Sequence, residues 1–285
     1  MPGANSVTSN QESLHKDLEK VVRKYAATVF LRPIAEHTRE AFAEAEEFVK
    51  KFYDASEKGD PGTKAGVTSE NVMGKKGDLG TKSGVTSKNV VGVAATRTVI
   101  LDSGCGTGES TIHIARRFPN IPVIGIDKSG MRLNKAGNPV QTAGEDVPRN
   151  AFWIRAELLD FWRLALDRVK AGEWVVPYHA VYYPNPWPKQ SEATRRFHMH
   201  PIFPTLLALG QTTELRTNWE IYAREFAEAA RIVCECTAST AHAQITCEPF
   251  EPIAPETAFE RKYKEAGQTL WKVVIAASRQ FCVTR

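Results

Sequence analysis

The pattern of apolar positions divides the chain into a helical start and a long stretch of alternating strands and helices. Residues 11–54 carry apolar side chains on one helical face in two runs, which Pro33 separates. The second run predicts a helix from Glu36 to Ala55. The apolar positions are Leu14, Leu18, Val21, Val22 and Tyr25 in the first run, and Ala41, Phe42, Ala45, Phe48, Val49 and Phe52 in the second.

After Ala95, short apolar runs alternate with amphipathic segments. Strands are predicted at 98–101, 122–126, 152–155, 179–183, 214–216, 243–247 and 271–276, and helices at 109–117, 129–137, 158–169 and 219–233. This alternation predicts an α/β fold, a doubly wound Rossmann-like sheet with helices on both faces, preceded by a helical extension. In such sheets the ligand lies beyond the carboxyl ends of the strands, where the strand order reverses.

The sequence predicts three regions: a helical extension at 1–57, an insertion at 58–95 and the α/β domain at 96–285. Within the insertion, residues 62–74 recur as 80–92, with ten of thirteen positions identical. Two copies are too few for a repeat fold, and the Gly, Ser, Thr and Lys content favours a flexible segment. A phosphate-binding loop is the alternative, although neither copy has the Gly-Lys-Ser/Thr ending of a P-loop.

Composition excludes several classes of protein. Hydrophobic residues make up 42% and charged residues 25%, which is typical of a globular protein, and no apolar stretch reaches the length of a membrane span. The start of the chain does not resemble a secretory signal, and five cysteines form no disulfide framework, so we expect a cytoplasmic protein. Neither Cys234 and Cys236 nor His198 and His200 have further ligands at suitable spacing, so no metal site is predicted. The net charge of +4 is compatible with a polyanionic partner but does not require one.

A glycine-rich turn follows the first strand of the α/β region. Asp102 ends the strand, and Gly104, Gly106 and Gly108 follow in the spacing Gly-x-Gly-x-Gly. Glycines let the backbone turn tightly and approach a ligand closely. The spacing differs from the Gly-x-Gly-x-x-Gly of dinucleotide sites, so the turn points to another nucleotide-like cofactor.

Acidic residues end three successive predicted strands. Asp102 is placed to hold an ammonium group, Asp127 to accept hydrogen bonds from ribose hydroxyls, and Glu157 to accept one from an adenine amino group. Each acid alone is also typical of a helix N-terminus. Their combination beside this glycine turn predicts an S-adenosylmethionine site, and therefore a methyltransferase.

The fourth strand runs into a proline-rich segment, Tyr183–Lys189, with prolines at 184, 186 and 188. Prolines fix the backbone, so Asn185 would be held where it can orient a flat, nitrogen-containing acceptor. Trp187 or Tyr183 would stack on that acceptor. The alternative is a stiffened surface turn without a ligand.

With these motifs the sequence resembles the tRNA guanine-N7 methyltransferase family from about residue 98 to residue 276. The matching segments are 102–108, 125–127, 183–189 with Arg195-Arg196, 216–222, and 257–260 with Gly267. The resemblance implies a class I methyltransferase fold with S-adenosylmethionine as cofactor and tRNA as substrate. A partner subunit is left open.

The resemblance also implies roles for individual residues. The cofactor pocket would be lined by Asp102, Gly104, Gly106, Gly108, Asp127, Glu157 and Asn185, and the guanine side by Trp187, Lys189, Asn218, Thr257 and Glu260. Asn185, Glu260 and Arg195 would act in catalysis, with Arg195 on the RNA backbone or the base. Candidates for a wider phosphate-contacting surface are Arg116, Arg117, Arg195, Arg196, Arg216 and Arg224, although a solvated face is as good an interpretation of any one of them.

Three positions depart from the family pattern. Asn185 and Asn218 stand where the family usually has Asp, and Glu192 stands where it often has His. Guanine N7 has a free lone pair, so methyl transfer needs alignment and electrostatic stabilisation rather than a base. The departures keep two further hypotheses open: a methyltransferase with another nitrogen acceptor, and a cofactor-binding subunit without activity.

Overall fold

The computed structural model describes residues 6–57, 95–136, 147–237 and 243–276. The predicted insertion at 58–95, with its duplicated motif, lies outside the described residues except for Ala95. The division into three regions therefore stays a prediction.

The helical extension contains two helices, α1 (Leu18–Ala26) and α2 (Glu36–Glu57). The expectation of helix from residue 11 is wrong for residues 11–17, because the His15 amide and the Gln11 side chain bond to Glu225, far along the chain. Leu14 is accordingly exposed, whereas Leu18 and Val22 are buried as predicted.

The remaining elements alternate as the sequence predicts. The strands are β1 (Arg97–Thr98), β2 (Ile100–Ser103), β3 (Val123–Asp127), β4 (Ala151–Arg155), β5 (Trp174–Val175), β6 (Tyr178–Tyr182), β7 (Thr212–Thr217), β8 (Gln244–Phe250) and β9 (Leu270–Ala276). The helices are α3 (Glu109–Arg117), α4 (Gly130–Ala136), α5 (Leu158–Lys170), α6 (Phe203–Leu209), α7 (Glu220–Cys236) and α8 (Ala258–Glu265). Short 3₁₀ helices at Gln190–Arg195 and Phe197–Met199 follow the proline-rich segment.

Seven of the described strands form one sheet, in the order β4-β3-β2-β6-β7-β9-β8. Strands β4, β3, β2, β6 and β7 are parallel, and β9 is antiparallel to both of its neighbours. The chain moves outward from β2 through β3 to β4, then returns to the other side of β2 as β6. The strand order therefore reverses between β2 and β6, which confirms the doubly wound α/β fold. In such a fold the crevice between the carboxyl ends of the strands lies at this switch point.

The extension shares the hydrophobic core of the sheet domain. Phe42 of α2 contacts the rings of Phe161 and Trp174 at centroid distances of 5.0 and 5.3 Å, and Phe48 stacks on Phe152. Among the described helices none is long and apolar enough to cross a membrane.

Candidate active site

The turn after β2 leaves open space beyond its backbone. Gly104 and Gly106 have φ angles of +80° and +60°, which a residue with a side chain adopts only under strain. A Cβ atom added to either glycine would meet no atom within 4 Å. The backbone at the switch point therefore borders space that no described side chain fills, which fits the approach of a ligand.

Asp127, at the end of β3, fixes the shape of this turn. Its Oδ2 accepts a hydrogen bond from the Gly106 amide at 3.0 Å, and its Oδ1 accepts one from the Ser129 amide at 2.8 Å. Arg132 lies 3.3 Å from the same Oδ1. The predicted ribose-binding acid thus lies against the glycine turn and also supports it.

Asp102 lies beneath the turn, not at its surface. Its side chain is 1% exposed, and its Oδ2 accepts hydrogen bonds of 2.6 Å from the hydroxyls of Ser110 and Thr111 in the first turn of α3. Burial raises the pKa of Asp102 to about 6, although the two hydroxyls oppose this rise. In this conformation Asp102 joins β2 to α3, and its predicted contact with an ammonium group stays a prediction.

Glu157 precedes α5 at the end of β4 as the N-cap residue, yet its side chain makes no capping hydrogen bond. The amide of Glu157 bonds to the Thr38 hydroxyl at 3.2 Å, so α2 fixes the backbone here. The half-buried carboxylate remains available at the same sheet edge as Asp127.

The proline-rich segment lies beside the turn, at the end of β6. Tyr183 and Trp187 have φ angles of +50° and +45°, an unusual conformation for residues with large side chains. Asn185 and Lys189 are exposed, and the guanidinium group of Arg195 lies 4.6 Å from the centre of the Trp187 ring. Strand β6 pairs with β2 in parallel, so the segment and the glycine turn leave the same edge of the sheet from neighbouring strands.

The residues that hold this segment in place were not predicted to do so from the sequence. Arg196 is 0% exposed, and its Nε and Nη2 both donate to the carbonyl oxygen of Trp187, at 3.2 and 3.0 Å. Its Nη1 donates to Oε2 of Glu225 in α7 at 2.7 Å. The expectation that Arg196 faces RNA phosphates is therefore wrong, because its guanidinium group is fully used inside the protein.

A second buried cluster lies at the end of β7. Arg216 donates to Glu214 at 2.6 Å, to Glu256 at 3.3 Å and to Glu260 at 2.8 Å. Arg216 is 6% exposed, so the prediction that it belongs to a phosphate-contacting surface is also wrong. Arg117 joins the cluster through Glu256 at 3.0 Å.

Glu260, predicted on the guanine side, is 0% exposed. Besides its bond to Arg216, its Oε2 accepts from the amide of Glu256 at 2.7 Å, while Oγ1 of Thr257 accepts from the amide of Glu260 at 3.0 Å. This is an N-terminal capping arrangement that starts α8. In this conformation both carboxylate oxygens of Glu260 have partners inside the protein, and its contact with a base stays a prediction.

Asn218 follows β7, and its side-chain amide donates to Oε1 of Gln268 at 2.9 Å. Gln268 also lines a cavity of about 460 Å³ between β8, α8 and β9, where Phe250 and Leu270 supply apolar walls. The order of the strands separates this cavity from β2, so it is not the space beside the glycine turn.

The structure thus brings the predicted residues to one edge of the sheet but at different depths. Gly104, Gly106, Asn185, Trp187, Lys189 and Arg195 border open space or solvent, Asp102, Asp127 and Glu260 are enclosed, and Glu157, Asn218 and Thr257 lie between. Within the described residues, no three His, Cys, Asp or Glu side chains are grouped to hold a metal ion.

The sequence is similar to those of curated tRNA methyltransferases. The chain is 28% identical over 183 residues to a tRNA (guanine-N(7)-)-methyltransferase of Neisseria meningitidis serogroup C, which covers 63% of this chain and 72% of that protein. It is 26% identical over 192 residues to a tRNA (guanine-N(7)-)-methyltransferase of Saccharophagus degradans, covering 63% and 76%.

Solved structures of methyltransferases are more distant. An aminoglycoside resistance methyltransferase, NpmB1, is 16% identical with a TM-score of 0.42, over 65% of this chain and 89% of that one. The plantazolicin methyltransferase BpumL, solved with a substrate analogue and SAH, is 13% identical with a TM-score of 0.38, over 65% and 78%. A family model described as a putative methyltransferase matches residues 96–273, well over half of the chain, and the chain belongs to that family.

Proposed function

We propose that this methyltransferase transfers the methyl group of S-adenosylmethionine to N7 of a guanine in tRNA. The observation that carries the proposal is the meeting of two surfaces at the switch point. The open space at Gly104 and Gly106 follows β2, and the segment with the exposed Asn185 and Lys189 follows β6, the parallel neighbour of β2. The relatives that match this region are named for the same reaction.

On the cofactor side, the chain offers backbone and carboxylate groups. Gly104, Gly106 and Gly108 would let the cofactor lie against the backbone, while Asp127 and Glu157 would accept hydrogen bonds from its ribose hydroxyls and adenine. S-adenosylmethionine supplies an electrophilic methyl group when bound. Asp102 would act on the ammonium side, and its bonds to Ser110 and Thr111 also keep the turn in shape.

On the acceptor side, the exposed surface offers what a guanine needs. N7 carries a lone pair in the plane of the ring, so the protein must align the ring and stabilise the cation formed, without removing a proton. The amide of Asn185 would orient the base, and the Trp187 ring, with Arg195 over it, would stack on it. Lys189 and Arg195 would contact the RNA backbone.

The cluster around Arg216 suits a cationic product. Three carboxylates, those of Glu214, Glu256 and Glu260, surround Arg216 and Arg117, which leaves an excess of negative charge beneath α8. Because Asn185 and Asn218 carry no charge, we propose this cluster as a source of negative potential for the methylated base. Glu260 would reach the base itself after leaving Arg216, and Thr257 and Asn218 would border the same side.

A transfer assay tests the proposal. The full chain is incubated with methyl-labelled S-adenosylmethionine and unmodified tRNA, and the tRNA is digested to nucleosides. We expect label in N7-methylguanosine, and a loss of at least tenfold in kcat for Asn185→Ala. Gln190→Ala, an exposed position just beyond the segment, serves as the matched control and should leave kcat unchanged.

Other outcomes would replace the proposal. Label in another nucleoside or a small molecule would identify a different acceptor. Cofactor binding by calorimetry without transfer to any fraction would identify a subunit without activity. A tRNA substrate also supports a cytoplasmic location, which fractionation of cells producing the tagged chain would check.

A further inference from the structure

The proline-rich segment rests on a buried polar cluster that reaches it from the other end of the chain. We call this set of residues the clamp: Ser9, Gln11, Arg196, His198 and Glu225. Gln11, Arg196, His198 and Glu225 are buried, so their polar groups depend on partners inside the protein. The sequence places two members near residue 10 and three between 196 and 225.

Arg196 connects the clamp to the segment. It donates from two nitrogen atoms to the Trp187 carbonyl, and from the third to Glu225 Oε2 and to Gln11 Oε1, at 2.7 and 3.0 Å. Every nitrogen of the guanidinium group is therefore used, and the planar group fixes the direction of the Trp187 carbonyl. The ring of Trp219 packs against the guanidinium at 4.7 Å.

The N-terminal residues complete this cluster. Gln11 Nε2 and the His15 amide donate to Glu225 Oε1 at 2.6 and 2.8 Å, which leaves Oε2 for Arg196 and His198. Ser9 bonds directly to the segment, since its hydroxyl donates to the Pro188 carbonyl at 2.8 Å. Residues 9–15 thus contact two consecutive carbonyls of the segment, one directly and one through Arg196.

The chemistry makes these contacts interdependent. A buried ion pair is stable only when its remaining donors and acceptors are satisfied, and Gln11 satisfies both Arg196 and Glu225. Trp187 is held at a φ of +45°, a conformation that persists only where its surroundings determine it. Loss of Gln11 would therefore loosen Arg196 and, with it, the backbone beneath the Trp187 ring.

We propose that residues 9–15, acting through Gln11 and Arg196, are positioning residues for the acceptor segment Asn185–Lys189. The inference rests on the proposed function for its catalytic consequence. The N-terminal residues set where the acceptor stacks, and they do not contribute to the cofactor side, which is held by Asp127 and Asp102.

Gln11→Met tests the inference, because methionine keeps the length of the side chain but removes its three hydrogen bonds, to Arg196, Glu225 and the Ser13 carbonyl. We expect kcat for tRNA to fall at least tenfold while the Kd for S-adenosylmethionine changes less than twofold. The matched control is Glu12→Ala, an exposed neighbour, which should match the wild type in both. Equal losses of kcat and cofactor affinity in Gln11→Met, in step with a lowered melting temperature, would overturn the inference in favour of a general structural role.

A second readout needs no substrate. The chain has six tryptophans, so labelling with 5-fluorotryptophan gives six ¹⁹F resonances, and Trp187→Phe assigns one of them. We expect Gln11→Met to shift or broaden the Trp187 and Trp219 resonances and to leave those of Trp153 and Trp271 unchanged. An unchanged Trp187 resonance would overturn the inference, even if transfer failed in every variant because the proposed function is wrong.

Ser9→Ala removes the bond to Pro188 and the bond that the Ser9 hydroxyl accepts from the Gln11 amide, and it provides the test if Gln11→Met does not fold. We expect a smaller loss of kcat, about threefold to fivefold, again with unchanged cofactor affinity. A kcat equal to that of the wild type, together with an unchanged Trp187 resonance, would contradict the role of the N-terminal residues.

Discussion

The glycine turn after β2 and the proline-rich segment after β6 are neighbours in space, but they are held in opposite ways. The turn owes its shape to glycines with positive φ and to acids close in sequence: Asp102 bonds to residues eight and nine positions on, and Asp127 to Gly106, 21 positions back. The segment forces positive φ on Tyr183 and Trp187. Its supports, Gln11 and Ser9, lie 185 and 179 positions away from their bonding partners Arg196 and Pro188.

The two halves of the site therefore differ in which residues determine their conformation. The turn is specified locally, so its geometry follows from a short motif. The segment is specified by contacts between distant parts of the chain, which form only when the whole fold is present. The two halves should therefore respond differently to substitution.

Arg196→Gln should produce the largest change. It removes the cationic partner of the buried Glu225 carboxylate, and breaking a buried ion pair in this way costs about 3–5 kcal/mol in the free energy of unfolding. Urea denaturation measures this loss. Arg195→Gln, at the exposed neighbouring position, should cost less than about 1 kcal/mol. Similar losses in the two variants would mean that the buried cluster does not support the segment.

Asp102→Asn should change how stability depends on pH. The folded state keeps the Asp102 proton up to a pKa of about 6, whereas the unfolded chain releases it near pH 4. The folded state therefore binds more protons between these values, and the wild type loses on the order of 2 kcal/mol of unfolding free energy as the pH rises from 4 to 6. Asp102→Asn should lack this loss when unfolding is measured across that range, and parallel curves would place Asp102 outside the buried environment.

Asp127→Ala should weaken cofactor binding by about 1–3 kcal/mol, because ribose hydroxyls and the Gly106 amide both lose their acceptor. Asp127→Asn keeps one acceptor oxygen and should lose less. Isothermal titration calorimetry gives both values. If Asp127→Ala binds S-adenosylmethionine as the wild type does, the cofactor half does not depend on local acids.

Arg195→Gln should have the smallest effect, and only on RNA. Removing one phosphate contact should lower the slope of log K against log salt concentration by about 1, measured with tRNA by fluorescence anisotropy. Cofactor affinity should not change. An unchanged slope would mean that Arg195 contacts Trp187 and Glu192 but no RNA phosphate.

The same contrast explains what could be predicted from the sequence. The strands of the large sheet and the bounds of α3 follow from hydrophobic pattern and helix-end chemistry, which are local signals. The burial of Asp102 and Glu260 does not follow from such local signals. A carboxylate gives the same sequence pattern whether it faces a ligand or bonds to groups inside the protein.

The elements that were missed have their own physical reasons. Helix α6 is apolar on all sides and seven residues long, so it shows no periodicity that separates helix from strand. Residues 257–260 were interpreted only as a substrate segment, although a Thr followed three positions later by Glu is also a helix start. Arg196 resembles its exposed neighbour in sequence, and only Glu225 and Gln11, far along the chain, distinguish the two.

One contact far from the site bears on how the chain can change in evolution. The Tyr53 hydroxyl in the last turns of α2 donates to the Thr98 carbonyl in β1 at 2.8 Å, so two points on either side of the predicted insertion are in contact. If the insertion is the flexible segment that its composition predicts, doubling its length between such points would cost only about 0.6 kcal/mol. A duplication there would then be nearly neutral for folding, and copies could be gained or lost while the site at the opposite ends of the strands is left intact.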